Sequence, residues 1–174
     1  MATYDATNAQ CLVYSFKDGL LSKIAHDLKH RVTRFKLAVD EQARSIDAEI
    51  DASSLCVECV MQNGVESGAD LSDDDKSRIE KQILDDVLHA KDHPTIRFRS
   101  TSVTPSPEGL YIQGTLALND YTRPVSTVAR RVNGHYEAEM TINQPEFGIK
   151  PFSAMLGTLK IKPDVVVRLI VPAS

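Results

Sequence analysis

Apolar and polar residues alternate along most of this chain. The plainest case spans 44–55, where Ile46, Ala48, Ile50 and Ala52 share one face and Asp47, Glu49 and Asp51 the other. A slip of one residue would bury those carboxylates, so the register there is strongly fixed. Further strands are expected near 11–17, 27–40, 94–104, 109–119, 123–132, 134–143 and 158–171, with the period of two plain in 94–104, 109–119 and 134–143. Within 27–40 the phase changes. Leu28 and Val32 are even-numbered, whereas Phe35, Leu37 and Val39 are odd. A shift of that kind predicts a β-bulge around Thr33 and Arg34. Turn chemistry separates the later strands: Pro105-Ser106-Pro107-Glu108-Gly109, Asn119-Asp120, and an Asn133-Gly134 pair suited to a type I′ hairpin.

One stretch changes period. From about 72 to 89, Ile79, Ile83 and Val87, with Leu84 and Leu88, form a helical stripe. Ser72 is an N-cap, and Asp73, Asp74 and Asp75 follow it where the helix dipole favours negative charge. The residues 61–70, with Asn63-Gly64, read as a loop. The residues 17–25, with Leu20, Leu21 and Ile24, read as a helical turn or a loop over one end of the sheet. The segment 144–157 is too broken for a strand and too apolar to be solvated, so it should close over a sheet end or a ligand mouth.

The expected fold is therefore all-β with one main α-helix, placed between the third and fourth of eight antiparallel strands. Eight such strands close a barrel whose interior either fills with side chains or holds one small ligand. At 174 residues the chain is one domain, 1–174. The last strand is apolar on both faces, so one side meets the core and the other the helix or a second subunit.

Two stretches carry a resemblance to a known family. His93-Pro94-Thr95-Ile96-Arg97-Phe98-Arg99-Ser100-Thr101 is similar to a proline-led strand of the YceI-like family. Leu116-Ala117-Leu118-Asn119-Asp120-Tyr121-Thr122-Arg123-Pro124-Val125 resembles that family's T-R-P-V segment, with Asp120 where a glycine is usual. The similarity extends more weakly from about Leu12 to Val171. The resemblance implies a closed, lipocalin-like antiparallel barrel with an apolar cavity. It also implies non-enzymatic binding of polyisoprenoids or other long-chain amphiphiles, and a homodimer, which the residues themselves do not derive.

Composition narrows the classes. Net charge is −4, aromatic residues are 6% and tryptophan is absent, so neither a basic patch nor a stacking platform for nucleic acid is present. No apolar run approaches the length of a transmembrane helix. The chain does not open on a basic region followed by an apolar core, so no signal peptide is visible and a cytoplasmic location is expected. Three cysteines fit a reducing compartment better than a disulfide scaffold.

Candidate chemistry is sparse. Cys56-Val57-Glu58-Cys59 follows an antiparallel strand, not the helix start that a redox motif needs, and zinc would require two further ligands. His89 and His93 straddle the helix end, where His89 can cap it. Ser22, His26 and Asp27 are close in sequence, but no nucleophile elbow exists. No catalytic residue, metal or cofactor is expected. His26, at the start of the second strand, is a candidate for a ligand head group at the barrel mouth. The inward set Phe35, Leu37, Ile50, Phe98, Leu116, Leu118 and Met140, with the covering residues Phe147, Phe152 and Met155, are the candidate ligand contacts.

The leading expectation is a cytoplasmic barrel that binds a polyisoprenoid, isoprenoid quinone or fatty-acid derivative, with the tail inside and the head near the mouth. The alternatives are a solid-core barrel acting as a dimeric interaction protein, and a small-substrate enzyme.

Overall fold

The computed structural model describes residues 1–19, 26–68 and 71–173. Fourteen strands alternate with short turns: β1 Ala2–Asp5, β2 Gln10–Ser15, β3 Asp27–Val32, β4 Phe35–Asp40, β5 Ser45–Asp51, β6 Leu55–Gln62, β7 Val65–Glu66, β8 Thr95–Ser106, β9 Gly109–Leu118, β10 Tyr121–Val132, β11 His135–Asn143, β12 Ser153–Ala154, β13 Leu159–Lys160 and β14 Asp164–Pro172. Helix α1, Asp73–Gln82, runs on through a π turn at Ile83–Val87. Twelve strands form one curled antiparallel sheet in the order β1-β4-β5-β8-β9-β10-β11-β14-β2-β3-β6-β7, and β12 pairs with β13 apart from it.

The count of eight strands does not hold. The expected strand over 27–40 is two, because the chain bends at Thr33 and Arg34 between β3 and β4. The last strand is likewise interrupted between β13 and β14, and β1 and β7 add short edges. The bend places β3 and β4 on opposite flanks of the sheet. The next pair does the same: β5 lies beside β4, β6 beside β3, and the short 3₁₀ turn Ala52–Ser54 joins them. Two neighbouring chain segments therefore knit the two flanks together at one corner. There the Thr33 amide donates to Ser54 O (3.0 Å) and the Asp51 amide to Arg34 O (3.1 Å). The Arg34 amide donates to Ser54 Oγ at 3.0 Å, and that hydroxyl donates to Asp51 O at 2.8 Å.

The phase change expected in 27–40 is present: Leu28, His30 and Val32 are buried on β3, then Phe35 and Leu37 on β4. Its cause is the bend. The bulge lies elsewhere, on β6, where Val57 pairs with His30 but Cys59 with Lys29, leaving Glu58 as the extra residue. That bulge lets Val57 and Val60, three apart, face inward together, which hid β6 in a stretch partly read as loop. Within the expected helix, the Ser72 hydroxyl accepts from the Asp75 amide at 3.1 Å. His89 ends the segment in the left-handed region at φ 46°. In the segment 17–25, residues 20–25 lie outside the described residues.

Three apolar clusters fill the concave side. The largest holds Val87, Leu116, Leu118, Ile142, Phe147 and Ile149. A second centres on Cys11, Val32 and Phe35. A third, Leu28, Val57 and Val60, receives Leu71 and Ile79 from the helical side.

Ser54 is 2% exposed and holds both strands of the corner through one hydroxyl. Replacing it by alanine removes the acceptor of the Arg34 amide and the donor to Asp51 O, so Ser54→Ala should cost about 1–3 kcal/mol in urea unfolding. A change within a few tenths of a kcal/mol would show that the corner does not depend on this hydroxyl.

Candidate ligand cavity

Helix α1 has the stripe expected of a buried helix, yet none of its residues is fully buried. The reason is what it faces. Leu71, Ile79 and Ile83 look onto a cavity of about 570 Å³ between the helical segment and the curled sheet. The sheet supplies Val13, Leu28, Ile96, Leu116, Leu118, Val165 and Val167, and the segment after β11 supplies Gln144, Ile149 and Phe152. The π turn carries Val87 and Leu88 onto the same wall. The exposed residues among those lining it, His26, Arg78 and Gln82, mark its mouth.

The candidate contacts distribute unevenly around this space. Ile50, Leu116, Leu118, Phe152 and His26 line it. Phe98, Met140 and Phe147 pack in the adjoining cluster. Phe35 sits in the second cluster, and Leu37, 3% exposed, lies opposite Ala48. The Met155 side chain is outside the described residues. The helical wall residues Leu71, Ile79 and Ile83 were not singled out as contacts. Ile79 and Ile83 belong to the helical stripe, which reads equally as core packing, and Leu71 precedes the helix.

Two polar residues on the cavity wall were also passed over as a pair. His30 on β3 and Ser15 on β2 line it, with His30 Nε2 2.9 Å from Ser15 Oγ. His30 is 2% exposed, and its Nδ1 has no hydrogen-bond partner. Burial pulls its pKa down to about 4, so the ring is neutral. Cys11 lines the same wall, and burial pushes its thiol up to about 12, which removes its nucleophilic form.

The segment that carries Gln144, Phe147 and Ile149 is stapled by the turn between β9 and β10. Asn119 Nδ2 donates to Phe147 O at 2.9 Å, and Arg123 Nε donates to Glu146 O at 3.1 Å. Arg123 also stacks 5.2 Å over the Tyr121 ring. That ring lies on Gly148, where a Cβ would come within 2.5 Å of Tyr121 Cε2. The residues Asn119 to Arg123 therefore position a cavity wall.

Other candidate chemistry dissolves into structure. The Glu58 bulge puts Cys56 and Cys59 on the outer face, opposite Arg31 and Lys29, and both thiols are free. Asp27 accepts from the Lys17 amide at 2.8 Å, and Ser22 lies outside the described residues. His93 Nδ1 sits 3.0 Å from Asp120 Oδ2, joining the end of the helical segment to the β9–β10 turn. Among the described residues, no group of three or more His, Cys, Asp or Glu side chains is placed to hold a metal ion. None of the helices among them is long and apolar enough to cross a membrane. A larger groove, about 1260 Å³, opens on the outer face of β4, β5, β8 and β9. Its arginines are each committed to a carboxylate (Arg34 to Asp51, Arg97 to Glu49, Arg99 to Asp47), so the apolar cavity is the stronger candidate.

Comparison with known proteins agrees with this geometry. The profile of the YceI-like domain matches residues 11–173. The fold is similar to the crystal structure of BcnA from Burkholderia cenocepacia, at 14% identity over 98% of this chain and 99% of that one, with a TM-score of 0.64. It is similar to a polyisoprenoid-binding domain from Saccharophagus degradans, at 12% identity, 99% and 98% coverage and a TM-score of 0.57. It is also similar to a YceI protein from Campylobacter jejuni, at 15% identity, 90% and 92% coverage and a TM-score of 0.60. No curated protein matches the chain in sequence.

Two outcomes follow from these contacts. Gly148 sits at φ 65°, so Gly148→Ala adds left-handed strain and displaces Tyr121, and should cost about 1–3 kcal/mol in chemical unfolding; a neutral effect would show that the staple is slack. His30 has its folded pKa below the ordinary value of 6.5, so the unfolded chain takes the proton first. The stability from neutral His30 is complete above pH 6.5 and lost as the pH falls towards 4. That loss reaches up to roughly 3 kcal/mol. His30→Leu should flatten the fall in stability across this window, and an unchanged slope would assign the acid sensitivity to other groups.

Proposed function

The chain belongs to the YceI-like family, and from that membership and the cavity beneath the helix we propose that it binds, without catalysis, a long-chain apolar or amphiphilic molecule such as an isoprenoid or a fatty-acid derivative. The observation that carries this reading is the helical stripe. Leu71 and Ile79 touch the Leu28–Val57–Val60 cluster on one side, yet together with Ile83 they stay half-buried and border the open space. An apolar space of this size is a ligand site far more readily than a packing defect.

The volume bounds the cargo. A methylene occupies about the share of a water molecule, roughly 30 Å³, so the enclosed space takes on the order of 15–20 non-hydrogen atoms. A longer polyisoprenoid would extend past Arg78 and Gln82 at the mouth. Each buried methylene contributes about 0.8 kcal/mol, enough in sum to offset the cost of association. Ile50, Leu116, Leu118 and Phe152 form the walls around the chain, with His26 at the rim. The apolar lining favours this reading over a solid-core interaction module, and burial holds the Cys11 thiol in its unreactive form.

Native mass spectrometry of freshly purified protein, followed by solvent extraction, should reveal a stoichiometric long-chain compound released on unfolding. A clean unliganded mass with no uptake of added isoprenoids or fatty amides overturns the proposal. Ile79→Trp, which narrows the cavity from the helical side, should weaken uptake by at least about tenfold if the chain lies there.

A further inference from the structure

The cavity is mostly apolar, and one polar pair inside it stands out. Ser15 on β2 and His30 on β3 meet across adjacent strands, with Ser15 Oγ 2.9 Å from His30 Nε2. The pair has hydrogen-bonding capacity that no group among the described residues takes up. His30 Nδ1 is buried without a partner, and the half-buried Ser15 hydroxyl, one donor with two acceptor sites, makes one recorded hydrogen bond. An unpaired buried polar group is costly, and in a site lined otherwise by Val13, Leu28, Val165 and Val167 there is little else to satisfy it. The polar groups at the mouth are differently placed. Arg78 is already ion-paired to Asp75, and His26 is exposed, where water serves it. Gln144, the other buried polar residue lining the cavity, donates to Lys162 O.

We infer that the Ser15–His30 pair is an interior anchor for the ligand's polar group. The cargo is then an uncharged amphiphile carrying a hydroxyl, carbonyl or amide, seated head-inward with its tail running towards the mouth. This rests on the proposed function and reverses the orientation expected from the sequence, in which His26 held the head at the rim. The uncharged class follows from the site. Among the described residues the lining beside the pair is Val13, Leu28, Val165 and Val167, with no fixed cation to compensate a buried carboxylate or phosphate, and an uncompensated charge there would be far more expensive than a neutral hydrogen-bonding group. The hydroxyl and imidazole can each donate or accept, so alcohols and amides are both accommodated.

The test uses three probes of one chain length: a sixteen-carbon primary amide, the matching alcohol and the matching terminal alkene. Each competes against a fluorescent apolar dye in wild type, Ser15→Ala, His30→Leu and His26→Ala. Wild type should bind all three, and the quantity read is the preference for amide and alcohol over alkene. Ser15→Ala and His30→Leu should each shift that preference about tenfold towards the alkene while leaving alkene affinity within about threefold. His26→Ala should leave it unchanged. Replacing His30 by an apolar residue of similar volume keeps the wall packed, and Ser15→Ala changes only one atom, so folded protein is obtainable from at least one route. A preference unaltered in both interior variants, or altered only by His26→Ala, overturns the inference and leaves the binding function intact. A wild type that takes up none of the three probes removes both.

Discussion

The architecture depends on a corner. An antiparallel sheet of twelve strands has two flanks with unsatisfied edges, and here the same two chain segments serve both. The chain bends between β3 and β4 and again between β5 and β6, so each segment gives one half to either flank. The amides and carbonyls freed by the bends pair with each other across Thr33, Arg34, Asp51 and Ser54. The buried Ser54 hydroxyl fills the remaining gap, because a hydroxyl can accept from one strand and donate to the next. Curvature is thus fixed by hydrogen bonding at a point, and the concave side that results is wider than its own side chains can fill.

What fills the remainder is a helix held at a distance. The segment from Leu71 to Leu88 packs on Val57 and Val60 at one end and on the main cluster through Val87 at the other. Between these supports it spans the cavity. The π turn adds a residue to the last turn, which sets Val87 into the cluster while Leu88 and Ile83 still face the open space. The opposite wall is held just as indirectly. Asn119, Tyr121 and Arg123 grip the backbone of 146–148 and so place Phe147 and Ile149. The Thr122–Val125 stretch positions a wall of the cavity through Arg123 and does not itself line it.

Much of the fold was legible because sheet patterning is local. The alternations over 44–55, 94–104 and 109–119 correspond to β5, β8 and β9, and Asn133-Gly134 turns between β10 and β11 with both residues at positive φ. β6 was less legible, since the Glu58 bulge breaks its alternation and puts two cysteines on one face. The inward residues were legible only as a class. Phe35, Phe98 and Phe147 belong to the same inward class as Ile50, Leu116 and Phe152, and all six join the core clusters, yet only the last three also border the cavity.

By itself the sequence determined which residues face inward, where the helix begins, the turns that set each hairpin, and the family to which the chain belongs. These rest on interactions within a few residues: pleat, cap and turn geometry. The tertiary structure alone decided that two chain segments each serve both flanks, that the helix stands over empty space, and that Ser15 and His30 meet inside it. Each of those depends on register between segments far apart in the chain. A single slipped residue would send His30 to the outer face, and no local pattern records which partner keeps it within.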